Sequence, residues 1–405
     1  MSATAIVGER AAVVDALVAE LRHDAAGRDR AAGVPRDEVA ALKRSGLLPL
    51  FVPTELGGGG AGWDEVLDVV RRVASADSSA AHILLYHYFG SAAGVALTNG
   101  RVGTRRAARI AADNLLAGTV AQAAYPPLVE AVEDPDGGYL LTGEKPFTSG
   151  AAAADVLTVW VQFGEGARFD GRDVSGQLAT VTVDATAPGV VFGDDWDAVG
   201  QRRTVSGRTR LEAVRIAEDD VIHVGYGVEP AVAAGNLDVL YLYSGFAAIF
   251  TGIAQGALAD ALEYTRTRSR PWVESALERV VDDPLLVERY GRLEISVRSA
   301  AALTADVARI VEGARARGPE LTWDERGAAA VAVSAARVHA AETAVDVSSR
   351  VFELTGARSA TAEAGLDRFW RNARTLSLHD PLRLKEAEVG AYALDGTLPV
   401  PGFYS

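Results

Sequence analysis

The order in which three sequence textures follow one another constrains this chain more than any motif in it. From about residue 8 to 110 apolar positions recur at helical spacing, as in Val13, Leu17, Val18 and Leu21, and again in Val66, Val69, Val70 and Val73. Between roughly 113 and 225 the texture changes to short runs, YLLTG, VLTVWVQF, LATVTV and GVVFG, punctuated by Gly, Pro and Asp. Such runs are expected of an antiparallel sheet or small barrel. From about 229 onward long helical stripes return, through Leu285, Leu286, Tyr290, Leu293, Val297, Leu303, Val307 and Val311. Thr322 with Glu325 reads as a capping box that starts the next helix. The expected fold class is α+β and mainly α, with an N-terminal helical domain (1–112), a central β domain (113–228) and a C-terminal helical bundle with a tail (229–405).

Composition narrows the function. A chain of 405 residues with 49% apolar content buries a large core. A net charge of −14 argues against nucleic acid and anionic membrane surfaces as partners. With no cysteine the chain holds no disulfide, Fe–S cluster or thiolate zinc site. The opening MSATAIVGER lacks the charged and apolar regions of a secretory signal, and no uncharged apolar run of about 18 residues follows. The expectation is a soluble cytoplasmic protein.

Several segments carry polar chemistry. Gly57, Gly59 and Gly62 match the dinucleotide fingerprint, but Pro53 and Glu55 interrupt the approach and helices follow, so a flexible interhelical loop is the better reading. His82 and Tyr86 are four apart and share one helix face, while His87 points well away. A core histidine is the plain alternative for His82, and no third ligand suggests a metal. The turn Lys145-Pro146-Phe147-Thr148-Ser149-Gly150 exposes two hydroxyls and backbone amides. Trp196, in a loop, is either core or a platform for an aromatic ligand. Arg266, Arg268 and Arg270 at a helix end read as a solvated face or a phosphate site. Arg358, Arg368, Arg371 and Arg374 with His379 form a denser cluster, part of which structural salt bridges would absorb.

Taken together these segments resemble the acyl-CoA dehydrogenase family over nearly the whole chain. The phrases VPTELGGGGAGW, GEKPFTSGAAAADVLTV and FELTGARSATAEAGLDRFWRNARTLSLHDP carry the likeness. Asp194-Asp195-Trp196, Arg270-Pro271-Trp272 and Leu378-His379-Asp380-Pro381 resemble its flavin-dependent monooxygenase branch, the dibenzothiophene monooxygenases and related sulfur and nitrogen monooxygenases. The resemblance implies an acyl-CoA dehydrogenase-like fold with a central β-barrel domain and a C-terminal four-helix bundle, assembled as a homotetramer. It also implies a flavin lined by Tyr86, by Thr119, Val120, Ala121, Gln122, Ala123 and Ala124, by Lys145, Phe147, Thr148 and Ser149, and by Trp196. Arg270, Ala357 and Arg358 would reach the flavin phosphate from a neighbouring subunit. His82, Ser149 and His379 would face the flavin edge where oxygen reacts, as the catalytic set. The segment from Thr119 to Ala124 departs from the branch, being nearly apolar where relatives are rich in Asn and Ser.

The chemistry expected from the branch is that of reduced FMN (FAD as the alternative) reacting with O2 through a C4a-(hydro)peroxyflavin. That species needs a dry site and neutral hydrogen-bond partners, which Ser149 and two imidazoles supply. A dehydrogenase instead needs a carboxylate base; the glutamate expected there is replaced by His379-Asp380-Pro381, a shorter acid followed by a chain-turning proline. No NAD(P)H-binding module is visible, so a separate NAD(P)H:flavin reductase is the expected partner. S-oxidation of a small hydrophobic substrate leads. The alternatives are N-hydroxylation of an amine or amino sugar, an acyl-CoA dehydrogenase with FAD, and a flavin-fold scaffold without chemistry.

Overall fold

The computed structural model describes residues 3–96, 101–121, 129–225, 233–402 and 404. Six helices come first: α1 (Ala3–Arg22), α2 (Ala25–Ala31), α3 (Arg36–Ser45), α4 (Trp63–Ala76), α5 (Ser78–Ala96) and α6 (Arg101–Asp113). Ten strands follow: β1 (Ala117–Val120), β2 (Val129–Glu133), β3 (Tyr139–Lys145), β4 (Val156–Phe163), β5 (Arg168–Phe169), β6 (Arg172–Asp173), β7 (Leu178–Asp184), β8 (Val190–Phe192), β9 (Thr209–Ile216) and β10 (Val221–Val224). The chain closes with α7 (Asp238–Thr267), α8 (Pro284–Arg317), α9 (Trp323–Thr355), α10 (Asp367–Leu376) and α11 (Leu382–Asp395).

The helical stripes do what their spacing predicts, with one drift. Val66, Val69, Val70 and Val73 of α4 are all buried, as are Leu293, Val297, Val307 and Val311 of α8. Leu285 and Leu303, expected on the same stripe, are 68% and 40% exposed. Each lies one residue, about 100° of helix, from the inward-facing Leu286 or Thr304, so the stripe is narrower than its apolar content suggested. The α9 capping box is present: Glu325 N donates to Thr322 Oγ1 at 3.2 Å, and Thr322 N to Glu325 Oε2 at 2.9 Å.

The sheet runs β10-β7-β4-β2-β3-β9-β8, and this hydrogen-bonded path does not return from β8 to β10 among the described residues. It is not purely antiparallel. β1 and β2 lie in sequence along one edge of β4, both parallel to it, while β7 covers the other edge in antiparallel register. The central strands β1, β4 and β7 bury most of their side chains, Val159, Val161, Val181 and Val183 among them, and β9 buries roughly alternate ones.

The Gly-rich segment before α4 is ordered, not flexible. Gly58, Gly59 and Gly60 donate backbone N–H groups to Pro53 O, Pro49 O and Val52 O, folding the segment back on itself. A Cβ on Gly58 would sit 2.1 Å from Val52 O, so glycine is required by close approach, with no strand or phosphate involved.

Helix α7 is the axle of the molecule, packed against α4, α5, α8 and α9. Among the described residues it alone is long and apolar enough to cross a membrane, and 78% of its most apolar window is buried inside the protein. Its Gly252 and Gly256 admit α4 closely: a Cβ there would lie 2.2 Å from Arg71 O or Ser75 O.

Candidate active site

Helix α5 supplies the first half of the site. The Asp77 carboxylate caps it, accepting from Ser79 N at 3.1 Å and Ala80 N at 3.0 Å. One turn in, His82 and Tyr86 face Phe246 of α7; the His82 ring stands 5.0 Å from Tyr86 and 5.8 Å from Phe246. Burial, reinforced by the nearby His379, pushes His82 down to about 3, so its ring is neutral at physiological pH. Among the described residues neither ring nitrogen of His82 has a hydrogen-bond partner. His87, on the opposite face, is structural. Its Nε2 donates to Leu48 O at 2.7 Å and its Nδ1 accepts from Ala117 N at 2.9 Å, tying β1 to the N-terminal helices.

The second half comes from the turn between α10 and α11. Helix α10 stops at Leu376 and Pro381 caps α11, so His379 and Asp380 sit in the corner between them. The His379 ring packs edge-on against Phe246 at 4.8 Å, and its Nε2 lies 3.3 Å from the Tyr86 hydroxyl. Its Nδ1 lies 2.9 Å from Asp380 Oδ1. Asp380 also takes both Nη atoms of the buried Arg337 at 2.8 and 2.5 Å, and the Tyr243 hydroxyl at 3.2 Å. Burial alone would raise this carboxyl, but hydrogen bonds from His379 and Arg337 hold it well below the usual carboxylate range. Asp380 is thus a spoken-for anion. As a free base for dehydrogenation it is badly placed.

Ser149 joins from the Lys145–Gly150 turn, which packs against residues 201–207. Phe147 and Gly150 adopt left-handed backbone at φ 57° and 75°, which turns the chain after β3. Thr148 N then donates to Gly207 O at 3.1 Å and Gly150 N to Thr204 O at 2.8 Å. Ser149 Oγ lies 2.7 Å from Ser206 Oγ, Ser206 Oγ 2.7 Å from Thr204 Oγ1, and Thr204 donates to Gln201 O at 2.8 Å. Trp196 donates its indole N–H to the same carbonyl at 2.9 Å. The buried Gln201 amide faces His82 without a well-formed hydrogen bond to it or to any other group. Gln201 and Ser206 were legible only as polar residues in a Gly-flanked loop.

Phe147 is 67% exposed and stands perpendicular to Trp196 at 6.5 Å, a pair with open aromatic faces. Thr119 and Val120 are buried in β1 and Ala121 is half-buried just beyond it. Thr119 Oγ1 and the Lys145 ammonium are buried without a partner among the described residues, and burial lowers the lysine below its ordinary value. Gln122, Ala123 and Ala124 lie outside the described residues.

The arginine clusters divide. Arg368 pairs with Asp260 at 2.8 Å, and Arg371 with Asp29 at 2.5 Å and Asp367 at 2.8 Å, so both are structural. Arg270 and Arg358 are exposed. Their segments are neighbours, since Ser269 Oγ reaches Thr355 O at 3.4 Å. From Arg337 to this end of α9 the helix axis runs roughly 27 Å, so Arg270, Ala357 and Arg358 do not meet the histidines within one chain.

Comparison with known proteins settles the family. The models of the acyl-CoA dehydrogenase N-terminal, middle and C-terminal domains match residues 9–100, 120–214 and 244–383. The chain belongs to the acyl-CoA dehydrogenase family. Within it the chain stands with the monooxygenases. It is 36% identical over 401 residues to a dibenzothiophene monooxygenase of Rhodococcus erythropolis, covering 97% of this chain and 95% of that one. It is 33% identical to the probable FMNH2-dependent monooxygenase SfnC of Pseudomonas putida, covering 97% of each. The crystal structure of FMN-bound TdsC from Paenibacillus sp. A11-2 superposes with a TM-score of 0.91 at 32% identity, covering 98% of this chain and all of that one. The corner between α10 and α11 holds an imidazole and an acid already neutralised by Arg337.

Proposed function

We propose that the chain is the oxygenase component of a two-component system, taking reduced FMN from a separate NAD(P)H:flavin reductase and oxygenating the sulfur of a small hydrophobic substrate. The observation that carries this reading is the corner just described, where two imidazoles and a tyrosine surround Phe246 and the local carboxylate is locked to Arg337. FMN is the cofactor named for the TdsC structure, and dibenzothiophene the substrate named for the Rhodococcus relative.

The residues present fit a flavin. Thr119 Oγ1, Lys145 Nζ, the His82 ring and the Gln201 amide are buried polar groups whose hydrogen-bonding capacity the chain leaves unused. Phe147 and Trp196 offer rings to a planar ligand, and Arg270 and Arg358 of a neighbouring subunit in a homotetramer would meet its phosphate. When bound, reduced FMN supplies the electrons that activate O2. The chain's own residues do the rest. Phe89, Phe246 and Tyr243 wall the site against water. His82, neutral, can accept one hydrogen bond from a bound ligand and donate another to it without adding charge. The Tyr86 hydroxyl, its ionisation pushed up by burial, stays protonated and donates to His379 Nε2. The His379 side chain, 29% exposed, stands between that hydroxyl and Asp380. Ser149, oriented by Ser206, offers a neutral hydroxyl.

Stopped-flow absorbance tests the reading: protein mixed anaerobically with reduced FMN meets oxygenated buffer, with and without an aromatic sulfide. A transient absent from free FMN, decaying faster with sulfide and yielding sulfoxide, is expected. Reoxidation identical to free FMN both with and without sulfide, together with bleaching of bound FAD by acyl-CoA, would overturn it. His379→Ala should abolish product while sparing flavin binding.

A further inference from the structure

Arg337 enters the reading above only as the cation that neutralises Asp380, yet it is fully buried in the middle of α9 beside the reacting corner. Its two Nη atoms are spent on one carboxylate, Asp380, and its guanidinium carbon lies over Tyr243, 4.1 Å from the ring centre. Asp380 receives four donors in all. Oδ1 takes Arg337 Nη2 at 2.5 Å and His379 Nδ1 at 2.9 Å, while Oδ2 takes Arg337 Nη1 at 2.8 Å and Tyr243 Oη at 3.2 Å.

Two consequences follow from donor and acceptor chemistry alone. An ionised carboxylate only accepts, so His379 Nδ1 must carry the proton. In the neutral ring Nε2 is then bare, and the Tyr86 hydroxyl, 3.3 Å away, is the donor of that hydrogen bond. The second consequence concerns charge. Arg337 cancels the charge of Asp380, so the carboxylate orients the imidazole without presenting a net anion to the site.

We infer that Arg337 and Asp380 are positioning residues for the oxygenation, a clamp that fixes His379 as the Nδ1–H tautomer and so gives the Tyr86–His379 proton path one direction. The inference rests on the proposed role of His379, but the tautomer itself stands apart from any activity. The charged and titratable groups facing the clamp are few. Among the described residues they are His82 and Tyr86 of α5, Tyr243 of α7, Lys385 of α11, whose Nζ lies 5.1 Å from the Tyr243 ring, its ion-pair partner Glu388 at 2.6 Å, and Tyr404 in the tail.

The clamp is tested by nitrogen-15 NMR of histidine-labelled, flavin-free protein at pH 8, with the His379 signals assigned by their loss in His379→Gln. The expected wild-type pattern is a protonated Nδ1 and a bare Nε2. His87 is the internal control, since its bonds to Leu48 and Ala117 require the opposite tautomer. Asp380→Asn and Arg337→Gln should convert His379 to a mixture or to the Nε2–H form while His87 stays unchanged. An Nε2–H tautomer in the wild type overturns the inference even if both variants fail to fold, as does an unchanged tautomer in a folded Asp380→Asn. In turnover Asp380→Asn should lower kcat about 100-fold and displace its pH profile, with KM for reduced FMN unchanged. Normal turnover by His379→Ala would sink the proposed role of His379 and leave the tautomer result standing, so the two failures are distinguishable.

Discussion

Arg203 grips Glu38 with two hydrogen bonds, Nε to Oε1 at 2.8 Å and Nη2 to Oε2 at 2.7 Å, across the junction between the β domain and α3. Glu38 also takes Arg28, which in turn pairs with the Asp77 cap of α5. The loop carrying Gln201 and Ser206 is therefore anchored to the helix carrying His82 through buried charge.

Breaking that anchor on one side is costly. Arg203→Met leaves Glu38 buried with one cation fewer and should lose roughly 3–5 kcal/mol, read as a lower urea midpoint at pH 7. Burial raises the Glu38 carboxyl, but Arg203 and Arg28 outweigh it and hold the pKa below its ordinary 4.5. With the folded value depressed, the pair's contribution is complete above about pH 4.5 and fades as pH falls through the folded value. The stability gap between wild type and Glu38→Gln should accordingly narrow below pH 4.5, and a constant gap down to acid unfolding would contradict this account.

Ser206→Ala removes the hydroxyl that orients Ser149. One neutral hydrogen bond contributes about 1 kcal/mol, so flavin affinity or turnover should drop roughly five-fold, with the fold intact. FMN fluorescence quenching and steady-state turnover measure the two separately.

Charge at the exposed Arg270–Arg358 edge should matter to a phosphate and not to a flavin ring. Arg358→Ala should weaken FMN by about ten-fold and leave riboflavin unchanged, because a charge-assisted bond to phosphate contributes roughly 1.5–3 kcal/mol. Equal weakening of both ligands would remove the phosphate assignment.

Two glycines on long helices should respond in opposite directions. Gly252→Ala places a Cβ 2.2 Å from Arg71 O and should destabilise by roughly 1–3 kcal/mol. Gly291, with nothing within 4 Å, should accept alanine and gain about 0.5–1 kcal/mol. Thermal or urea unfolding of the two variants decides both.

The sequence shows what depends on neighbours along the chain. The α4 stripe, the Thr322–Glu325 cap and the shared face of His82 and Tyr86 are local periodicities, and all three are realised. The split between structural Arg368 and Arg371 and exposed Arg358 was stated only as an alternative, because their partners Asp260 and Asp29 come from distant elements. Arg337 was invisible for the same reason: nothing near it in α9 hints that Asp380, from the turn after α10, will be its partner. Gln201 and Ser206 become informative only once the turn after β3 folds against their loop. The parallel pairing of β1 and β2 with β4 is also absent from the sequence, because alternation of side chains does not encode strand direction.

The buried axle α7 also bears on how the chain is made. Ribosomes add roughly 5–20 residues per second, so α7 emerges several seconds before α9. In that interval its apolar surface has only α4, α5 and the emerging α8 for shelter, while its largest partner, α9, is missing. The moment of greatest risk during synthesis therefore falls between α7 and α9, and a pause or truncation there should deliver the chain to chaperones or aggregates rather than to a smaller stable protein.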